Sequence, residues 1–164
     1  MRKVIVVSLS LLLICLTACS VKQENAVTTT TQTITAEQTE TTKEREMTQL
    51  MLKIEGREIA VNWEENESVE SLKQLVTESP AQIALSMYSD FEQVGAIGSN
   101  LPRNDVQMTT QAGDIVLYQG NQIVIFYGSN SWSYTKLGSI KNLSQEELTE
   151  LLGNGDVSIT LYNE

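Results

Sequence analysis

The side chains that most often carry enzyme chemistry are scarce in this 164-residue chain. It has no histidine, and its only cysteines are Cys15 and Cys19, close to the N-terminus. Ser-His-Asp and Cys-His nucleophile systems are therefore excluded, and so is a histidine-ligated metal. Any catalysis has to rest on carboxylates, Lys, Arg, Tyr or Ser. Asp114 and Asp156 each follow a glycine at an expected turn, where aspartate bonds local backbone. No EF-hand spacing is present, and no metal or other cofactor is expected. Recognition is better supplied than catalysis. Tyr88, Phe91, Tyr118, Phe126, Tyr127, Trp132 and Tyr134 concentrate in the middle of the body. On alternating strands about half of them face inward, and Phe126 and Tyr118 are read as core. Trp132 stands in the polar run Gly128–Ser133, where no core obligation is visible. A large aromatic on a loop suits ligand contact. Tyr134 begins the next strand and can line the same groove, and Tyr88 is a further candidate from the same cluster.

The elements that position these groups come in three parts. Residues 1–18 open with Met1-Arg2-Lys3 and continue as an apolar run from Val4 to Leu16, broken only by Ser8 and Ser10. The run is roughly 13 residues, against the roughly 20 that a membrane-spanning helix needs. A basic start, a short apolar run and small residues before a cut site describe a secretory signal peptide. Its last residues, Leu16-Thr17-Ala18-Cys19, resemble the lipobox of bacterial lipoproteins. The resemblance implies cleavage before Cys19 and a diacylglycerol on its sulfur. Acyl chains anchor by burying methylenes at about 0.8 kcal/mol each. The expected location is the outer face of a cell membrane, with the membrane as partner through the lipid on Cys19. Cys15 leaves with the signal peptide, so the folded body has neither disulfide nor free thiol.

The second part, Ser20–Glu46, is dominated by Thr with Gln and Glu between and has almost no large apolar residue. It cannot bury enough surface to fold. As a flexible coil of about 27 residues it reaches roughly 25–30 Å. The third part, residues 47–164, is the folded body. It holds six Lys and Arg against sixteen Asp and Glu, essentially the whole of the chain's net charge of −10. A nucleic-acid partner needs the opposite sign and is excluded.

The body reads as mainly β. Leu52, Ile54, Ile59, Val61 and Trp63 alternate with polar residues around Glu55-Gly56-Arg57, a hairpin pattern. Val69, Leu72, Leu75 and Val76 share one face of a helix over Asn66–Thr77, with Glu65, Glu67 and Glu70 at its start. Gln82–Tyr88 is a strand with Ile83, Leu85 and Met87 on one face. A long irregular stretch over Ser89–Asp105 follows. Strands are then expected at Val106–Thr110, Ile115–Tyr118, Ile123–Tyr127 and Tyr134–Ile140, with a tight turn at Gly120-Asn121. Ser144-Gln145-Glu146-Glu147 is a capping box opening a short helix with Leu148, Leu151 and Leu152 on its buried stripe. Val157–Tyr162 is the last strand. Short, evenly spaced strands with two helices indicate a closed barrel plugged at its ends.

Four segments occur in a telling order: Ala112-Gly113-Asp114-Ile115-Val116-Leu117-Tyr118, Ile123-Val124-Ile125-Phe126-Tyr127, Tyr134-Thr135-Lys136-Leu137-Gly138, and Gly153-Asn154-Gly155-Asp156-Val157-Ser158-Ile159-Thr160. With Leu101-Pro102 ahead of the Gly-Asp strand, this set resembles the bacterial cyclophilin-like domain family over about residues 50–162. The resemblance implies a cyclophilin-like closed eight-stranded barrel with two short capping helices. True cyclophilins isomerise X-Pro bonds, with an Arg donating to the prolyl nitrogen and an apolar pocket holding the ring. The Phe-His segment that carries that Arg, the Phe-x-x-Gln stretch and the Gly-rich and Asn-rich loops are not found here. The body's arginines are Arg57, in the first hairpin, and Arg103, after Leu-Pro in the long loop. Arg103 is the better candidate for ligand contact.

The expectation is a lipid-anchored extracytoplasmic binding module for a peptide or small ligand, with Arg103, Trp132, Tyr134 and Tyr88 as contact residues. An extracytoplasmic peptidyl-prolyl isomerase and an accessory lipoprotein docking on a membrane partner are the alternatives.

Overall fold

The computed structural model describes residues 48–164. The signal peptide, the lipidation site Cys19 and the Thr-rich linker lie outside the described residues.

The first hairpin joins β1 (Leu50–Ile54) to β2 (Arg57–Ile59). Glu55 and Gly56 both have positive φ (49° and 77°), the backbone of a two-residue turn whose twist matches the strands. The extended run does not end at Ile59. It passes Ala60 and continues as β3 (Val61–Trp63), which changes partner and pairs with β9 (Ser131–Ile140). The remaining strands are β4 (Ala81–Tyr88), β5 (Glu92–Ala96), β6 (Val106–Thr109), β7 (Asp114–Tyr118), β8 (Gln122–Phe126) and β10 (Val157–Asn163). Around the sheet the order is β2-β1-β10-β4-β5-β8-β7-β9-β3, all neighbours antiparallel, with β6 lying off this path against β9. Because β2 and β3 are halves of one run, the path begins and ends on the same stave and the barrel is nearly closed. Counted as one stave, they give the eight expected from the sequence; counted by pairing, the described residues hold ten strands.

The two helices sit at opposite ends of β10. Helix α2 (Gln145–Leu152) immediately precedes Val157, while Asn163, at the other end, donates its Nδ2 to Lys73 O on α1 (Glu67–Leu75) at 2.9 Å. Asn66 caps α1, accepting from Val69 N at 3.0 Å and donating to Lys136 O at 2.9 Å, so the cap also ties the helix to β9. Ser144 and Glu147 make the reciprocal capping box at α2. Val69 and Leu72 from α1 and Leu148 and Leu152 from α2 join one interior core with Leu52, Leu85, Ile115 and Leu137. Full burial of such a side chain is worth about 1.5–3 kcal/mol, which supplies the stability that a body without disulfides requires.

Two sequence expectations are corrected. Ser89–Asp105 is not irregular throughout, because it contains β5. The chain turns at Ser89 and Asp90, both at positive φ, and Tyr88 faces Glu92 across the hairpin. The strand Glu-Gln-Val-Gly-Ala carries little apolar alternation, so pairing rather than pattern makes it β. Trp132 is likewise on β9, not in a loop. β6 extends the sheet there, and Trp132 pairs with Met108. Met87 follows the alternation of Ile83 and Leu85 but sits near the strand's end, where it is exposed.

A second apolar cluster lies on the outside of the barrel wall. On β7 and β8, Ile115, Leu117, Ile123 and Ile125 face the interior core. The alternate residues Val116, Val124 and Phe126 pack outward with Tyr134, against Phe91, Val94, Met108 and Tyr118. Both faces of β7 and β8 are thus covered over most of their length, and their sequences read as nearly continuous apolar runs for that reason.

Candidate functional site

This outer cluster is only partly roofed. Above it opens a pocket of about 310 Å3. Its floor is Val94 of β5 and Val124 of β8, and aromatic side chains form its walls: Tyr88 at the end of β4, Tyr118 of β7, Trp132 and Tyr134 of β9. Glu92, Gln122 and Asn130 supply the polar groups. The volume is at the small end of ligand sites, which run from roughly 300 to 1,000 Å3. It suits a small molecule or one or two side chains of a peptide.

The walls are held from behind. The Tyr134 ring meets Phe126 edge-on at 5.7 Å and Tyr118 edge-on at 5.9 Å, and Phe126 stacks with Phe91 at 6.4 Å. Asn130 Nδ2 donates to the Tyr134 hydroxyl at 3.0 Å. Asn130 is itself fixed by Thr110, which donates its N–H to Asn130 O at 2.8 Å and accepts from Asn130 N at 2.9 Å through Oγ1. By contrast Trp132 and Tyr88 form the rim, 57% and 62% exposed. An anchored interior and an exposed aromatic rim combine rigidity with free contact area.

Glu92 is the unusual group. It is 7% exposed and lies beside Phe126 on the neighbouring strand. Its Oε2 is buried with no hydrogen-bond partner among the described residues. Desolvation raises its pKa from 4.5 to about 7. Burial, and then the Glu92 carboxylate, push the Tyr134 hydroxyl above its usual 10. Among the described residues no lysine or arginine lines the pocket. Unpaired buried carboxyls are costly, and a perturbed one in a cleft marks a candidate functional group.

Of the four contact residues expected from the sequence, Tyr88, Trp132 and Tyr134 meet in this pocket. Arg103 does not. Its Nη1 lies 3.4 Å from Asp105 Oδ2, and its side chain runs beside Gly120 at the β7–β8 turn. Asp105 in turn accepts from Thr135 Oγ1 at 2.6 Å, so this polar set fastens the loop to β9. Tyr118, read as core, does both jobs, packing on the outer cluster and lining the pocket. Sequence reasoning passed over Glu92, Gln122 and Asn130. Only the strand assignment of β5 could have flagged Glu92, by placing it on the same face as Val94.

The two turn aspartates have structural partners. Asp114 Oδ2 accepts from Gln111 N at 2.9 Å, the expected turn bond, and Oδ1 pairs with Lys136 Nζ at 2.8 Å. Asp156 reaches across to β4 instead, accepting from Met87 N at 3.1 Å. No group of three or more acidic, Cys or His side chains among the described residues is placed to hold a metal ion.

Residues 52–162 match the model of the cyclophilin-like family, about two thirds of the chain. The chain belongs to that family. A comparison with curated proteins gives no significant match.

Proposed function

We propose that this cyclophilin-like domain is a ligand-binding module held at the outer face of a membrane by a lipid on Cys19, and that the pocket on its outer wall takes a peptide or small ligand. One observation carries the binding part: three exposed or half-buried aromatics and a buried, unpartnered carboxyl converge over an apolar floor. Such a site has the apolar floor and the few convergent polar groups of a small-ligand pocket. The anchoring part rests on the basic start, the short apolar run and Leu16-Thr17-Ala18-Cys19.

The isomerase reading draws less support. Weakening the double-bond character of a prolyl amide calls for a cation at its nitrogen, and the described arginines, Arg57 and Arg103, lie away from the pocket. The reading is tested by screening short peptides and small metabolites against the full-length protein in detergent by isothermal titration calorimetry. Binding that is lost in Trp132→Ala supports it. Acceleration of a proline-peptide isomerisation assay that disappears in Arg103→Ala overturns it in favour of the enzyme. The absence of any ligand in the screen favours a docking role instead.

A further inference from the structure

Resting on the reading of this pocket as a ligand site, we infer that its ligand presents a positively charged nitrogen, as a lysine-type ammonium does, to the Glu92 carboxylate between the aromatic walls. Three features of the pocket converge on this class. Glu92 Oε2 is buried and lacks a donor among the described residues, and the Glu92 side chain lines the cavity, so an N–H donor that draws the carboxyl toward the cavity would satisfy an acceptor the fold leaves unpaired. Tyr88, Tyr118, Trp132 and Tyr134 surround the same space, and aromatic faces attract cations through their quadrupole. Among the described residues the pocket lining holds no competing Lys or Arg, and the body around it carries sixteen acidic against six basic residues. An anionic ligand would face an unpaired carboxylate and a repulsive field. A neutral apolar ligand would bury the carboxyl further without giving it a partner.

The titratable groups packed around Glu92 leave the charge balance to the ligand. Among the described residues they are Tyr88 from β4, Tyr118 from β7 and Tyr134 from β9, which line the pocket with Glu92, and Tyr127 after β8, which feels its charge; none is a cation. Tyr127 and Tyr134 are raised above their usual range, by burial first, and keep their protons. Glu92, titrating at about 7, is half ionised at neutral pH in the empty pocket. A bound ammonium favours the ionised form, so binding releases a proton and tightens as pH rises through that range.

The experiment uses the full-length protein in detergent and three probes of similar size: Nα-acetyl-lysine methylamide, the norleucine analogue that lacks the charge, and the glutamate analogue. The Trp132 indole resonance, resolved from that of Trp63, reads binding at pH 8 and pH 5.5. The lysine probe is expected to bind about tenfold or more tightly than the norleucine probe at pH 8, the scale of one charge-assisted contact. That preference shrinks at pH 5.5 and is lost in Glu92→Gln. If norleucine binds as well as lysine at pH 8, or if the preference survives both acid and Glu92→Gln, the cation inference fails while the pocket reading stands. If no probe perturbs Trp132 at either pH, the pocket reading fails and takes the inference with it. The pH arm on the unsubstituted protein keeps the test decisive should Glu92→Gln misfold.

Discussion

Glu92→Gln should gain stability relative to the unsubstituted protein as pH rises, and exceed it above neutral pH. A carboxyl that titrates at about 7 in the fold and at 4.5 when unfolded binds its proton more tightly in the native state. The sign is the reverse of that for a salt-bridged carboxylate. Between the two values the native state holds more protons, so unfolding free energy falls as pH rises. The contribution is complete below 4.5 and lost above about 7. The full difference is about 3 kcal/mol, at roughly 1.4 kcal/mol per pKa unit. Glutamine has nearly the same shape and no charge, so the variant lacks this loss. Any cost of its unpaired amide, about 1 kcal/mol, is independent of pH and appears as a constant offset. Urea unfolding of both proteins, followed by tryptophan fluorescence from about pH 4 to pH 8.5, measures the difference. All other carboxylates cancel in the comparison. The stability gap should move by about 3 kcal/mol in the variant's favour across this range, with a melting-temperature change of roughly 10 °C. Parallel curves would mean that Glu92 finds a partner or solvent in solution, and the account of a strained carboxyl would be wrong.

Trp132→Ala should change stability by less than about 0.5 kcal/mol, because the side chain is mostly exposed, yet abolish or strongly weaken ligand binding; urea melts and titration of the same sample separate the two effects. Gly138→Ala should cost about 1–3 kcal/mol, because its Cβ would stand 2.7 Å from Asn62 O at the β3–β9 seam that completes the barrel; a thermal melt reads the loss, and an unchanged melting temperature would mean the seam is looser than described. Cys19→Ser should move the protein from the membrane fraction to the soluble or secreted fraction and abolish incorporation of labelled fatty acid, since the proposed anchor is the lipid on that sulfur; retention of label by the variant would defeat the anchoring proposal.

Much of the fold was legible because it is local. Glu55-Gly56 sets a turn by backbone conformation, and Ser144 and Glu147 satisfy each other's amides. The apolar runs of β7 and β8 were visible as well. What the sequence hid depends on partners distant along the chain. β5 is a strand because it lies between β4 and β8, not because Glu-Gln-Val-Gly-Ala favours one. The change of partner at Ala60 leaves no mark in a run that reads as a single strand. The site divides in the same way. Trp132 stood out as a large aromatic without an evident core role, Tyr134 and Tyr88 as further members of the same aromatic cluster, and the three meet in one pocket. Arg103 was singled out by its chemistry, but its position is set by Asp105 and the β7–β8 turn. Glu92 could not be singled out, since an acidic residue in an acidic chain is unremarkable until its surroundings are known.

The claim that the outer wall pocket is the binding surface is tested most directly by the two tryptophan indole resonances of the full-length protein, titrated with Nα-acetyl-lysine methylamide. Trp132 lies on the pocket rim, whereas Trp63 donates its Nε1 proton to Leu50 O at 2.7 Å at the barrel seam. The account predicts that the Trp132 indole signal shifts and saturates while the Trp63 signal stays in place. Movement of Trp63 with Trp132 unchanged would contradict it.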